Sequence, residues 1–254
     1  MTISLSNRNT MQAGSSVLQK PLPDLGALEG LGYTLTPFSK VEVIFSDPYL
    51  PHGDHSLRDL ADGGRYDVVL SGPDTMLSMG KYPRPPVGPV FRNNGLDSGG
   101  KRSSANRGVV AIVKDGTVIM GRAQGSGAHE LKTHFGQAGN PLVSAVGGGA
   151  LLVENGRLVN DRDLMLVQGY GGSPAGLRSY GMRPGVHTIM GIRKGRAYAA
   201  WCTTKSGLDI RNDFHRFGFG SVIKFAHGSS VFYDDCVDRL NGQNATGFGV
   251  TRAY

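Results

Sequence analysis

A loop rich in glycine and serine near the end of the sequence has residue types that suit the binding of an anion. The run from Ser221 to Ala226 has the composition of a β-strand, and the chain continues as His227, Gly228, Ser229 and Ser230. Backbone N–H groups and hydroxyls that converge after a strand can bind a phosphate or another oxyanion. An ordinary turn between two strands has the same composition, because Gly and Ser are common in turns. Both interpretations remain open at this level.

A second loop with potential chemistry follows the compact apolar run from Tyr66 to Leu70. It begins Ser71, Gly72, Pro73, and Asp74 is its only carboxylate. A carboxylate in such a loop can act as a general acid or base, or can bind a cation. An Asp that closes an Asx-turn after a proline explains the same residue without any chemistry.

Turn chemistry indicates which elements position these loops. Short β-rich runs flank the pairs Asp115-Gly116, Asn155-Gly156 and Lys194-Gly195. Asn-Gly and Asp-Gly between apolar runs are strong hairpin signals. The 39 glycines and 13 prolines favour many short elements over a helical bundle. The sequence therefore predicts an α+β fold with a mixed, hairpin-rich β-sheet and a few short helices.

Other elements are predicted from local patterns. Asp209 is a suitable N-cap for a short helix over Ile210 to Phe217, which Gly218 would end. A strand is expected over Val41 to Phe45, and an edge strand over residues 247–252 near the end of the chain. Residues 160–184 are expected to form a long loop at the rim of a site, since passive connections are usually shorter.

The domain organisation follows from the change in composition along the chain. Residues 1–32 are polar and predict an N-terminal arm, ordered poorly or docked on a partner. Residues 33–254 are long enough to bury a substantial core, and a single domain is expected.

The segment from Gly185 to Asp235 resembles the phosphodiester glycosidase family. It has, in order, a hairpin, a helix that starts at a Gly-Leu pair, a single glycine after the helix, a strand and the Gly/Ser loop. Family members carry an Arg-Thr-containing strand and a strand that ends in an Asp-Gly-Gly-Gly-Ser loop. The matching positions here are His187-Thr188 and residues 226–230. Taken loosely, the resemblance extends from about Val41 to Asp235.

The resemblance implies a phosphodiester glycosidase-like domain with a site at the ends of its strands. Ser71 stands where the family has Asn, and Gly72 is retained. Gly148 lies in a run that is similar to the family's small-Gly-Gly segment, where the backbone approaches a ligand. His187 replaces the family Arg, and Ala226 replaces the loop Asp. The residues expected to act in catalysis are Asp74, His187 and His227, and those expected to bind substrate are Ser71, Gly72, Gly148, Thr188, Gly228, Ser229 and Ser230.

Two functions of different classes remain open after these replacements. One is a divergent hydrolase of a sugar-phosphodiester or nucleotide-type substrate. The other is a catalytically inactive relative that binds a phosphorylated sugar or nucleotide, or a virus-associated interaction protein. An Arg holds phosphate with two parallel hydrogen bonds and stays charged, whereas a His carries charge only when it is protonated. The sequence indicates no particular cofactor.

The charge balance bears on the partner. Lys and Arg number 27 against 20 Asp and Glu, which gives a formal net charge of +7. A basic excess is compatible with a phosphorylated small molecule. The basic residues are spread along the sequence without clustered runs, so a nucleic-acid partner is not favoured.

Metal, disulfide and membrane signals are weak. His129, Glu130 and His134 could ligate a metal, but their spacing is not diagnostic, and no metal site is predicted. The two cysteines, Cys202 and Cys236, could pair but do not make a disulfide framework. The sequence shows no signal peptide and no run of about twenty apolar residues. We therefore expect a cytoplasmic protein without a membrane span, of host or viral origin.

Overall fold

The described part of the chain consists mainly of one antiparallel β-sheet with short helices. A computed structural model describes residues 22–45, 57–73, 88–92, 95–98, 106–122, 125, 127–178, 182–227, 232–233, 237–238 and 246–252. The strands are β1 Tyr33–Phe45, β2 Val68–Ser71, β3 Val90–Arg92, β4 Gly95–Ser98, β5 Gly108–Val113, β6 Val118–Arg122, β7 Leu142–Glu154, β8 Arg157–Leu158, β9 Gly185–Arg193, β10 Arg196–Lys205, β11 Ser221–His227, β12 Phe232–Tyr233, β13 Val237–Asp238 and β14 Thr246–Arg252. The helices are α1 Leu25–Glu29, α2 Leu57–Asp62, α3 Ala128–Phe135, α4 Pro174–Gly176 and α5 Gly207–Arg216, with a π-helical turn at Asp163–Val167.

The described strands form a sheet in the order β13-β12-β2-β14-β1-β10-β9-β11-β7-β3-β4. In addition, β5 pairs with β6 and β7, and β8 pairs with β7. The predicted fold class, a hairpin-rich sheet with few short helices, is confirmed. The described pairings are all antiparallel, so the mixed character expected from the sequence is replaced by a purely antiparallel ladder.

The three predicted hairpins are confirmed as β5–β6, β7–β8 and β9–β10. In the β7–β8 turn, Asn155 and Gly156 both have positive φ, 50° and 74°. The β9–β10 turn has the same conformation, with Lys194 at 50° and Gly195 at 74°. Two consecutive residues with positive φ make a turn whose twist matches that of the flanking strands. Local turn chemistry therefore fixes these three pairings.

Aromatic residues pack α5 against one face of the sheet. The Tyr33 and Phe214 ring centroids are 5.2 Å apart in an edge-to-face arrangement, and those of Phe214 and Phe219 are 4.7 Å apart. Phe219 also contacts Tyr198 of β10 at 5.5 Å. These contacts belong to the main hydrophobic core, which also includes buried residues of β7 and β11. Buried residues of β9 and β10 belong to the same core.

Several local predictions differ from the structure. Helix α5 begins at Gly207 with Ser206 as its N-cap, because Asp209 serves as the third helical residue of a capping box rather than as the cap. Strand β14 is not an edge strand, since it pairs with β1 on one side and β2 on the other. The expected loop over residues 160–184 contains the π-helical turn and α4.

The described part of the expected N-terminal arm is packed against the domain. Residues 25–29 form α1, and Leu28 is fully buried. The Arg193 guanidinium donates to the Pro23 carbonyl at 2.7 Å. Apolar residues of this segment thus join the core despite its polar surroundings in sequence.

Candidate active site

The hydroxyl of Thr188 joins three strands at the place where the sequence predicts a site. It donates to the Ser71 carbonyl of β2 at 3.1 Å and accepts the Ala226 N–H of β11 at 3.1 Å. The Ser71 hydroxyl lies 3.4 Å from the same oxygen. Strands β2 and β9 are separated by β14, β1 and β10 in the sheet, so this contact requires a strongly curved sheet. The C-terminal ends of β2 and β11 therefore lie next to each other.

Gly72 and Pro73 continue this site toward β7. Both are buried, and a Cβ placed on Gly148 would lie 3.2 Å from Cβ of Pro73. That Cβ would also lie 2.7 Å from the amide nitrogen of Gly88, and Gly148 has φ +104°. Gly148 therefore packs closely against the backbone of Gly88, within the protein itself. The Gly148 carbonyl also accepts the Tyr170 hydroxyl at 3.1 Å, which fixes the peptide at this position.

His187 is fully buried beside Thr188. Successive side chains of a strand point to opposite faces, so His187 faces away from the Thr188 hydroxyl network. The Nε2 atom lies 3.2 Å from the Arg183 carbonyl, which can only accept, so Nε2 donates in this contact. The position of the family Arg therefore carries a buried imidazole held by the backbone.

His227 is the last residue of β11, and its backbone pairs with that of His187. On its other side His187 pairs with Cys202 of β10. The register thus aligns the three residues across neighbouring strands. The other predicted residues of the two loops, Asp74, Gly228, Ser229 and Ser230, lie outside the described residues.

Aromatic residues that the sequence analysis did not single out flank the Thr188 network. The Trp201 and Tyr233 ring centroids are 6.2 Å apart. Tyr233 is buried, and its hydroxyl donates to the Thr36 hydroxyl at 2.9 Å. Trp201 also packs against Ala226. The register of the β9–β10 hairpin pairs Trp201 with Thr188 and brings the indole here, so the predicted hairpin already contained this signal.

A buried lysine and a buried cysteine lie on strands next to His187. Lys224 of β11 is only 2% exposed, and its ammonium donates to the Phe225 carbonyl at 3.2 Å. Burial raises the pKa of the Cys202 thiol to about 12, and the positive charge of Lys224 opposes this rise. A thiol with such a pKa is protonated at neutral pH and is a poor nucleophile. Cys202 is a free cysteine, and Cys236 lies outside the described residues.

Arg107, which immediately precedes β5, stacks on a residue of this region. Its guanidinium lies 4.2 Å from the Tyr170 ring centroid, and its Nε donates to the Gln168 carbonyl at 2.9 Å. The Gln168 side chain is buried and bonds both the N–H and the C=O of Leu151. The segment after the π-helical turn is thereby fixed to β7, and its tyrosine reaches Gly148.

Within the described residues, no group of three His, Cys, Asp or Glu side chains is arranged to hold a metal ion. His129, Glu130 and His134 lie on α3, and the His134 ring packs against Phe135 at 4.6 Å. None of the helices in the described part of the chain has the length and apolar character needed to cross a lipid bilayer.

Comparison with solved structures shows which known fold carries this site. The chain is similar to the catalytic domain of zebrafish N-acetylglucosamine-1-phosphodiester alpha-N-acetylglucosaminidase, which was solved auto-inhibited by its pro-peptide. The TM-score is 0.56 at 13% identity, and the match covers 91% of each chain. The likeness establishes the fold. No protein-family model matches the sequence, and no curated protein matches it either.

Two further solved structures share the fold. A hypothetical protein from Synechocystis matches with a TM-score of 0.51 at 12% identity over 87% of this chain and 57% of its own. A candidate exported protein from Burkholderia pseudomallei K96243 matches with a TM-score of 0.50 at 11% identity over 87% of this chain and 71% of its own. At these identities the likeness concerns the arrangement of strands and helices, and the chemistry has to be argued from the residues of this chain.

Proposed function

We propose that this chain is a divergent phosphodiester glycosidase-like hydrolase that acts on a sugar-phosphodiester or nucleotide-type substrate. The observation that carries the proposal is the double hydrogen bond of the Thr188 hydroxyl to Ser71 and Ala226. It joins the two strands after which the sequence places a carboxylate loop and an anion-binding loop. A substrate held there would meet both groups at once.

In the proposed reaction, water attacks the anomeric carbon of the sugar. The bond between that carbon and the phosphate oxygen breaks, the sugar gains the hydroxyl, and the phosphate leaves as a monoester that takes up the proton. Asp74 orients the water or accepts its proton, and His227 with Ser229 and Ser230 donates hydrogen bonds to the leaving phosphate. Gly228 allows close approach of the backbone. His187, buried on the opposite face of the sheet, has a structural role where β9 pairs with the end of β11.

Ligand binding without hydrolysis is a second candidate, and the environment of His187 favours it. The imidazole is fully buried and donates to the Arg183 carbonyl, so the place of the family Arg presents no exposed cation. An arginine that grips phosphate with two hydrogen bonds is not replaced by such a group. In this case the phosphorylated sugar or nucleotide would be retained intact.

Mass spectrometry after incubation with nucleotide-sugars, sugar-phosphodiesters and cyclic nucleotides distinguishes the two functions. Free sugar with a phosphomonoester is the expected result for the hydrolase. Intact ligand released on denaturation would establish the binding protein instead. If the panel yields neither a product nor a retained ligand, both proposed functions are refuted.

Substitutions then assign the residues. Asp74→Asn and His227→Ala should each lower turnover at least about a hundredfold, because single groups of this kind commonly contribute that much. His187→Ala should reduce turnover and stability together, since it removes a fully buried imidazole and its hydrogen bond to the Arg183 carbonyl. His129→Ala is the matched control, because His129 is exposed on α3, away from these strands. Unchanged turnover in both Asp74→Asn and His227→Ala would overturn the assignment.

A further inference from the structure

A groove on the described surface brings together cations that are far apart in the sequence. A cavity of about 620 Å³ and another of about 400 Å³ meet at Gly116. One wall is β1 from Phe38 to Ile44, and the opposite wall is the β5–β6 hairpin from Ile112 to Val118. Six residue steps along β1 span about 20 Å at roughly 3.3 Å each. We call this feature the basic groove, and its described cationic residues are Lys40, Arg65, Arg92, Lys114, Lys194 and Arg196.

Glu42 is the single carboxylate among the described residues that line the basic groove. Its oxygens lie 2.8 Å from the Lys40 ammonium and 2.8 Å from an Arg65 guanidinium nitrogen. It also accepts the Tyr66 hydroxyl at 2.9 Å. The hydrogen bond from Lys40 holds the pKa of Glu42 below its usual range. Glu42 is therefore ionised at neutral pH and offsets only part of the positive charge.

The remaining cations include three without an ion-pair partner among the described residues. Lys114 lies on the β5–β6 turn, Lys194 lies on the β9–β10 turn, and Arg196 is the first residue of β10. All three are exposed, and no described carboxylate lies within ion-pair distance of them. The carboxylate of the neighbouring Asp115 accepts hydrogen bonds from the Thr117 N–H at 2.8 Å and from the Asn140 side-chain amide at 2.9 Å. A line of exposed cations along a groove favours an extended anion over a single phosphate group.

The aromatic residues among the described lining of the groove are not available for stacking on a base. A Cβ placed on Gly249 would lie 2.4 Å from the Tyr66 ring, so one face of that ring is covered. The Arg65 guanidinium lies over the ring, 5.3 Å from its centroid. Phe38 is only 3% exposed. Binding of single-stranded nucleic acid relies on bases that stack on aromatic side chains. A chain of phosphodiesters without bases fits this lining better.

We propose that the basic groove binds a linear, base-free phosphodiester chain of the sugar-phosphate or polyol-phosphate type. The described residues that line the groove include none of the candidate active site, so we treat this binding as independent of any hydrolysis there. Phosphate oxygens would contact Lys114, Lys194 and Arg196 directly. They would compete with Glu42 for Lys40 and Arg65.

The test uses the full chain and a fluorescently labelled glycerol-phosphate oligomer, with binding followed by fluorescence anisotropy at several salt concentrations. The logarithm of the affinity should fall linearly with the logarithm of salt, with a slope near −0.7 for each phosphate neutralised. A single-stranded oligonucleotide with the same number of phosphates should bind more weakly. Tighter binding of the oligonucleotide, or of inorganic phosphate alone, would refute a base-free chain as the ligand.

Charge-reversal variants locate the binding. Lys114→Glu and Arg196→Glu should each weaken binding about tenfold at low salt, since each replaces an attraction by a repulsion. Arg157→Glu is the matched control, because Arg157 is exposed but does not line the groove, and less than about a twofold change is expected there. Equal losses in all three variants would show non-specific attraction and overturn the proposal.

A gain-of-binding variant tests the role of Glu42 separately. Glu42→Gln removes the negative charge and releases Lys40 and Arg65 toward the ligand, so binding should tighten several-fold. Weaker or unchanged binding would contradict the arrangement. His227→Ala should leave the affinity for the oligomer unchanged, whether or not it alters hydrolysis. A loss in that variant would mean that the oligomer binds at the candidate active site instead.

Discussion

At the scale of single residues, Thr188 is the group on which the candidate site depends most clearly. Its hydroxyl forms hydrogen bonds with the backbones of Ser71 and Ala226, which belong to strands that are not neighbours in the sheet. All three residues are fully buried. A buried polar group that loses its partner costs far more than a surface hydrogen bond contributes.

Thr188→Val should therefore lower the free energy of unfolding by about 2–4 kcal/mol, because both hydrogen bonds are lost while the shape is kept. Urea denaturation followed by circular dichroism measures the change. Thr188→Ser is the control, since it retains the hydroxyl and loses one methyl group, at a cost of about 1 kcal/mol. Equal losses in the two variants would mean that packing, not hydrogen bonding, accounts for the effect.

The Cys202 thiol gives a second prediction at this scale. Its pKa in the folded state is raised from 9.0 to about 12, mainly by burial. A group with a raised folded-state pKa stabilises the fold fully below its unfolded pKa, and this contribution is lost as the pH rises toward the folded value. Between pH 8 and pH 10 the free energy of unfolding should fall by about 1–1.5 kcal/mol.

The measurement is urea denaturation across this pH range in the Cys236→Ser background. Replacement of Cys202 by Ala in that background should remove most of the fall. The raised pKa values of Tyr33 and Tyr66 start from an ordinary value of 10.0, so these groups contribute only toward the upper end of this range and beyond it. A fall of the same size without the thiol would assign the pH dependence to another group.

At the scale of elements, α5 is held by its N-terminal capping box and by its packing on the sheet. The Ser206 hydroxyl accepts the Asp209 N–H at 3.0 Å, and the Asp209 carboxylate accepts the Ser206 N–H at 3.0 Å. These reciprocal bonds satisfy two backbone donors at the start of the helix. The aromatic residues Phe214 and Phe219 then fix the helix against β1 and β10.

Ser206→Ala should lower the free energy of unfolding by about 1 kcal/mol, because it removes the acceptor for the N–H of the third helical residue. Ser206→Thr keeps a capping hydroxyl and should cost less. Chemical denaturation of the three proteins side by side tests this. A stability ranking with the Ala variant equal to the wild type would show that packing alone holds the helix.

At the scale of the whole molecule, the segment before β3 crosses β7 at very short distance. A Cβ on Gly88 would lie 1.9 Å from the Gly147 carbonyl oxygen, and the Gly147 N–H donates to the Pro89 carbonyl at 2.8 Å. Glycine at 88 and 147 is therefore required for β3 to reach its partner strand. This crossing lies next to the candidate site, because the adjacent Gly148 approaches both Gly88 and Pro73.

Gly88→Ala should cost about 3 kcal/mol or more, because backbone atoms cannot move aside as a flexible side chain can. Gly30→Ala is the matched control. There the new Cβ meets its nearest atoms at 3.5 Å and 3.6 Å, and the residue is in the right-handed helical region. That change should be neutral or stabilise by up to about 1 kcal/mol. Thermal and urea denaturation measure both changes. If Gly88→Ala were no less stable than Gly30→Ala, the prediction would be wrong.

The distribution of charge is also decided at the scale of the molecule. The basic residues are spread along the sequence, yet six of them line one groove between β1 and the β5–β6 hairpin. Residues as distant as Lys40 and Arg196 share it because β1 runs between β10 and β14 in the sheet. No local pattern contains this information.

The hairpins, the end of α5 and the fold class follow from the sequence alone, because they depend on dihedral preferences and periodicity over a few residues. Asn155-Gly156 and Lys194-Gly195 adopt the turn that their types favour. The predicted N-cap of α5, Asp209, lies three residues beyond the actual N-cap, Ser206. Both are good capping residues, and only their mutual hydrogen bonds decide between them.

Contacts between side chains that are distant in sequence follow from the tertiary fold. The curvature of the sheet brings Thr188 to Ser71, while His187, one position earlier on the same strand, is buried on the opposite face. Strand order places β14 in the interior of the sheet, and the fold brings Tyr233 beside Trp201. These contacts join residues more than a hundred positions apart or depend on sheet curvature, and curvature is a property of the packed sheet that no short stretch of sequence specifies.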